Sequence, residues 1–257
     1  MTGRSMIAKL RISAVLFSII LSGCVATGGP EPVNEGDAVR SYLELARGYV
    51  QQGLTENAVK PINRALEIQP RSADAYGMLG LVYQLQGEAS LAEESFKKAL
   101  SLNSDSSEIH NNFGVFLFSQ NRLADAYREF EKAAEDVRYG SRSRAYENLG
   151  LVALRQGRSS LAAEHFDKAL KLNSNLPRAS LELAAILEEQ GRFREAWQSY
   201  QVFTRLSRQN ERSLKLGIRL ARNNGDQDAA ASYSLQLGRL FPSSTGEGVR
   251  SRSGYEY

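Results

Sequence analysis

GLVYQLQGEASLAEESFKKAL (80–100) and IHNNFGVFLFSQNRLADAYREFEKAA (109–134) are two copies of one pattern set 34 residues apart. Gly80 and Gly114, Ala92 and Ala126, Phe96 and Phe130, and Ala99 and Ala133 coincide, and Asn121 stands where the first copy has Gly87. The pattern extends in both directions. Ala58, Ala92, Ala126, Ala162, Ala196 and Ala230 recur at intervals of 34, 34, 36, 34 and 34, with Gly53, Gly87, Asn121, Gly157, Gly191 and Gly225 in step. Self-similarity at this period is the signature of stacked helix–turn–helix units. Small residues belong where two helices cross, because only they allow the backbones to approach closely, and aromatics fill the wider gaps between neighbouring pairs. The glycine series marks a turn with positive φ, a conformation that Asn tolerates better than most other residues.

Further positions agree. First helices open on Tyr42, Tyr76, His110 and Tyr146 and place Leu45, Leu79, Phe113, Leu149 and Leu183 inward. Second helices carry Ile62, Phe96, Phe130, Phe166 and Tyr200, followed by Ala65, Ala99, Ala133 and Ala169; Pro70 and Pro242 close their repeats. This pattern resembles the tetratricopeptide repeat over roughly residues 38–242. The resemblance implies an all-α fold: a right-handed α-α superhelix of about six repeats (about 39–72, 73–106, 107–142, 143–176, 177–210 and 211–242) with a concave side. The two extra residues of the third interval fall near 136–143 and are expected to widen the coil there. The last repeat is degenerate: Gly217 replaces the leucine and Ser234 the aromatic, and Arg212, Lys215, Arg219 and Arg222 give it the polar face of a solubilising cap. The Gly- and Ser-rich tail, 243–257, is expected to be disordered.

Composition narrows the function. The net charge of +3 is carried by Arg4, Lys9 and Arg11 in the first 23 residues, and the remaining chain is neutral, which excludes a body that grips nucleic acid by bulk charge. One cysteine, Cys24, and two histidines, His110 and His165, can form neither an internal disulfide nor a zinc site. No phosphate loop, HExxH or GxSxG motif occurs. His110 replaces a packing aromatic, and His165 is expected at the surface or at a seam between repeats. Trp197 is expected in the core, and Glu93-Glu94, Lys97-Lys98 and Glu188-Glu189 on solvated faces. The expectation is a non-enzymatic binding scaffold with no small-molecule substrate, no nucleic acid partner and no metal.

The first 23 residues read as a signal peptide. Three basic residues precede the apolar run ISAVLFSIIL (12–21), which is shorter than the about 20 residues needed to span a bilayer. Translation from Met6 would keep enough positive charge. The run ends in Leu21-Ser22-Gly23-Cys24, which resembles a bacterial lipobox. That resemblance implies cleavage before Cys24 and covalent lipid on it, with no other cofactor. Val25, rather than Asp, follows the cysteine, which by the same resemblance implies the periplasmic face of the outer membrane. Several acyl chains at about 0.8 kcal/mol per buried CH2 make a lasting anchor. An ordinary signal peptide or an uncleaved anchor is the competing reading. Residues 24–37, rich in Gly, Pro and acids, read as a flexible tether.

In tetratricopeptide arrays the concave groove is lined by first-helix positions not used for packing. Carried onto this sequence, these are Leu43, Arg47 and Val50; Gly77, Leu81 and Leu85; Asn111, Val115 and Phe118; and Glu147, Leu151, Leu154 and Arg155. Their apolar character suits an extended or helical apolar segment of a protein partner; the alternative is that they pack against second helices or the next repeat. Capture of a C-terminal carboxylate by groove lysines is disfavoured, since no matching lysine precedes Lys215. A lipobox, a short acidic tether and six repeats, with the runs 80–100 and 109–134, resemble the type IV pilus pilotin lipoproteins of the PilF/PilW family. The resemblance implies a scaffold that binds the secretin subunit of the pilus pore and promotes its outer-membrane localisation and multimerisation, hence pilus assembly and twitching motility. An adaptor for peptidoglycan hydrolases or for β-barrel assembly is the alternative.

Overall fold

The computed structural model describes residues 34–245. The signal peptide, Cys24 and most of the tether and tail lie outside them. Among the described residues the chain forms six antiparallel helix pairs and no strand. They are α1 (Glu35–Gln51) with α2 (Thr55–Ile68), α3 (Ala73–Gln86) with α4 (Ala89–Leu102), and α5 (Ser107–Ser119) with α6 (Leu123–Glu135). There follow α7 (Arg142–Arg155) with α8 (Ser159–Leu172), α9 (Pro177–Glu189) with α10 (Phe193–Leu206), and α11 (Glu211–Asn223) with α12 (Gln227–Leu240). Each pair stacks on the next, giving an all-α superhelix of tetratricopeptide repeats. Helix α1 begins at Glu35, inside the span read as tether, with the Asn34 side chain accepting from the Gly36 N–H. After α12 a single 3-10 turn covers Pro242–Thr245.

The periodic residues explain the pairing. The second-helix alanines from Ala58 to Ala196 are fully buried. Where the first helix carries Gly80, Gly114 or Gly150, the ring of Phe96, Phe130 or Phe166 lies against bare backbone; a Cβ built there would come within 2.8 Å of the ring. The turn series has positive φ throughout, from 73° to 83° at Gly87, Gly157 and their equivalents, and 58° at Asn121. The connections between repeats span four residues, except between α6 and α7, where 136–141 supply six. That longer loop is tied down: Ser107 donates to Asp136 (2.7 Å), and Arg142 donates to the Ala134 carbonyl (2.6 Å).

Two side-chain expectations need correction, for Leu45 and for the arginines of α11. Leu45 shares the register of Leu79 but is 48% exposed, because among the described residues no repeat precedes it to cover it. His165 takes the seam position, one of the two places expected of it, and is buried there. Its Nε2 lies 3.0 Å from the Tyr127 hydroxyl across the seam between repeats three and four. The arginines of α11 are not simply solvated: Arg212 grips Glu182 through two bonds (2.6 and 2.7 Å) and Arg219 grips Glu188 likewise (2.8 and 2.7 Å). Gly217 also gains a reason. The Tyr200 hydroxyl fills the space a side chain would take, its proton shared between the Ser213 carbonyl (2.8 Å) and the Gln209 side-chain oxygen (2.7 Å). Where other repeats use Phe against Gly in one pair, Tyr200 reaches into the next pair and requires Gly there. Trp197 stacks on this same ring at 5.8 Å.

Candidate binding groove

The first helices of successive repeats lie side by side, and the expected groove residues fall into three groups. Leu43, Arg47, Gly77 and Leu81 line one cavity of about 610 Å³ across repeats one to three. Asn111 and Val115 line a second, of about 410 Å³, across repeats three to five. Val50, Leu85, Phe118, Leu151 and Leu154 line neither. Leu85 is 52% exposed, whereas Val50, Leu151 and Leu154 are half-buried against the cores beneath them. The guanidinium of Arg155 covers the ring of half-buried Phe118 at 5.1 Å. The face is therefore two polar-rimmed hollows rather than one apolar strip.

Gly77 is buried and offers only backbone. The Ile109 side chain sits above it, 3.1 Å from where a Cβ would be. The missing side chain has a second effect. Arg47 of α1 reaches over α3 to Glu108 of α5, closing an ion pair at 3.2 Å between residues 61 apart. Both groups are about half exposed, so the pair contributes at most about 1 kcal/mol to stability, but it narrows the first hollow. The floor there also includes Met78 and Ile109. Ile109 shares the register of Ala75 and Ala145, and that break in a small-residue series was the available signal.

The second hollow is basic at its rim, with Arg144 and Arg178, and carries amides at Asn111 and Asn148, which bond to each other at 3.1 Å. Glu147 turns inward and accepts the Ala179 N–H (3.0 Å), capping α9, whose Leu176 N-cap has no side-chain acceptor. Burial raises the Glu147 carboxyl above the usual range, against the opposing pull of that bond and of the two arginines.

Neither histidine stands in a hollow. His110 is buried, with Nδ1 2.6 Å from Glu129 Oε2 and Nε2 2.8 Å from the Ser104 carbonyl, so it joins α5 to α6. Burial works against the Glu129 carboxylate, but the bonds from His110 and Lys132 outweigh it and hold the group below its usual range. Burial, reinforced by Lys168, lowers His165. Among the described residues no group of three or more His, Cys, Asp or Glu is arranged to hold a metal ion.

A stack of helix pairs with a recessed inner face defines a protein–protein scaffold of the tetratricopeptide class. Tetratricopeptide repeat family models match residues 39–72, 73–106, 105–175 and 147–211. The type IV pilus assembly protein PilF of Pseudomonas aeruginosa is 43% identical over 233 residues, 89% of this chain and 92% of that protein. The solved structure of Pseudomonas aeruginosa PilF aligns with a TM-score of 0.79 at 44% identity, covering 83% of this chain and 96% of that one. The solved structure of PilW, described as a widely conserved type IV pilus biogenesis factor, aligns with a TM-score of 0.68 at 30% identity, covering 79% and 94%. The chain belongs to the PilF/PilW family of tetratricopeptide-repeat proteins of type IV pilus biogenesis.

Proposed function

We propose that this protein is an outer-membrane lipoprotein, lipidated on Cys24 and facing the periplasm, that binds the secretin subunit of the type IV pilus pore and promotes its localisation and multimerisation. The observation that carries the reading is the 43% identity to a pilus assembly protein across nearly the full length of both chains. The lipobox-like Leu21-Ser22-Gly23-Cys24 supports the anchor. The two hollows along α1, α3, α5 and α7 support a partner segment laid across the first helices. Binding energy alone drives this work. The scaffold shields an aggregation-prone segment of the pore subunit during export and releases it at the bilayer, with no bond made or broken. Deleting the gene is expected to leave secretin monomers in place of heat-stable multimers, read on unboiled gels of outer membranes. Normal multimers, with cell-wall hydrolases co-purifying from detergent extracts, would refute the secretin reading in favour of another envelope adaptor.

A further inference from the structure

The arginines of the first helices differ in one respect. Arg40, Arg47, Arg212 and Arg219 each have a carboxylate within ion-pair distance: Asp37 at 3.4 Å, Glu108 at 3.2 Å, Glu182 at 2.6 Å and Glu188 at 2.7 Å. Arg144 and Arg178 occupy the register of Arg40 and Arg212, one repeat apart from each other, and have no such partner among the described residues. Both side chains rim the same hollow of about 410 Å³. The one carboxylate lining that hollow, Glu147, accepts the Ala179 N–H at the start of α9 and feels both arginines without forming an ion pair with either. The floor is apolar at Val115 and Leu176, and amides flank it at Asn111 and Asn148. Two guanidinium groups over an apolar floor, with no internal counter-charge in bonding distance, complement a carboxylate carried on an apolar segment.

We propose that the hollow between repeats three and five receives an acidic side chain from an extended, otherwise apolar segment of the protein partner, anchored by Arg144 and Arg178. The proposal rests on the reading that the first-helix face takes the partner, and it adds what the partner must carry. The neighbouring apolar residues of that segment lie over Val115 and toward Leu81. The charge pair sets which stretch of the partner docks and speeds its encounter more than it deepens affinity, so its contribution is salt-sensitive.

Two measurements test this. In the first, short peptides with acetylated and amidated ends, Leu-Glu-Leu-Leu and its glutamine analogue, are titrated into the soluble chain lacking its signal peptide. The guanidinium NMR signals of Arg144 and Arg178 are followed. The glutamate peptide is expected to shift both saturably and the glutamine peptide not to; equal responses would overturn the proposal. A glutamine peptide with a free C-terminal carboxylate is the third arm. If it saturates the site more tightly than the glutamate peptide, the hollow captures a chain end and the side-chain assignment is wrong. In the second measurement, secretin subunit is captured by wild type, by Arg144→Gln/Arg178→Gln and by Leu81→Asn/Leu85→Asn at low and high salt. The arginine variant is expected to bind about tenfold more weakly at low salt, with a smaller difference at high salt. Loss in the leucine variant alone would sink the arginine anchor while leaving the groove reading intact. A peptide response without secretin capture by wild type would sink the secretin reading while leaving the anchor intact.

Discussion

Replacing Gly114 by alanine tests whether the array is held by rings lying on bare backbone. An added Cβ would stand 2.7 Å from two carbons of the Phe130 ring. Carbon atoms in contact prefer about 3.5–4.0 Å, so the ring must retreat by roughly 1 Å. It has little room to do so, because Phe130 is buried among the alanines and rings of repeats two to four. Overpacking of this kind costs about 1–3 kcal/mol. Alanine returns about 1 kcal/mol relative to glycine within a helix. The net expectation runs from no change to about 2 kcal/mol of lost stability, or a melting temperature lower by up to roughly 8 °C for an array of this length. Gly48 is the control. It lies inside α1 with nothing within 4 Å of its virtual Cβ, so Gly48→Ala is expected to gain about 0.5–1 kcal/mol from propensity alone. Urea and thermal unfolding followed by far-UV circular dichroism read both signs. Phe130→Leu in the Gly114→Ala background should be less destabilised than the sum of the single changes, because the two residues touch. A Gly114→Ala protein stabilised as much as Gly48→Ala, or a strictly additive double variant, would refute the ring-on-backbone account.

Three further outcomes are expected. His165 is lowered from the ordinary histidine value of 6.5 by burial and by Lys168. As the pH falls through that value the unfolded chain binds a proton that the folded chain does not yet bind, so stability falls with it. His165→Phe should flatten this slope in urea midpoints, and an unchanged slope would remove His165 as its source. Leu81→Asn with Leu85→Asn should weaken partner capture while the circular dichroism spectrum stays that of wild type; a large loss of helicity would identify these leucines as core. Cys24→Ser should leave an uncleaved precursor that no longer fractionates with the outer membrane, checked by mass spectrometry and sedimentation; normal processing and fractionation would remove the lipid anchor.

The fold was readable because its constraints repeat. The buried alanines from Ala58 to Ala196 recur nearly in step, and only certain residues tolerate the positive φ at Gly87 and Asn121. What depends on neighbours beyond one repeat was not readable. Leu45 and Leu79 are the same residue at the same register, and the first is exposed because no repeat lies before it among the described residues. Gly77 reads as an open groove position until Ile109 and the Arg47–Glu108 pair are seen to pass over it from α1 and α5. Gly217 reads as a defect until the Tyr200 hydroxyl fills its place. Each of these relations joins side chains whose separation along the chain is not fixed by the internal symmetry of one helix pair.

Groove residues are less legible than helices for a related reason. A solenoid presents each first-helix register once per repeat, so one position can serve different ends along the array. At the register of Arg40 the sequence runs Arg40, Asp74, Glu108, Arg144, Arg178, Arg212. Glu108 and Arg212 are consumed in pairs that lock α5 to α1 and α11 to α9, whereas Arg144 and Arg178 remain unpaired over a hollow. An isolated arginine at this register reads identically in all these cases. Arg212 is stapled because Glu182 of the preceding repeat reaches it, whereas Arg178 has Asn148 at the position equivalent to Glu182. Moving a glutamate into the position opposite Arg178 would therefore be expected to convert a binding repeat into a stapled one without altering any helix.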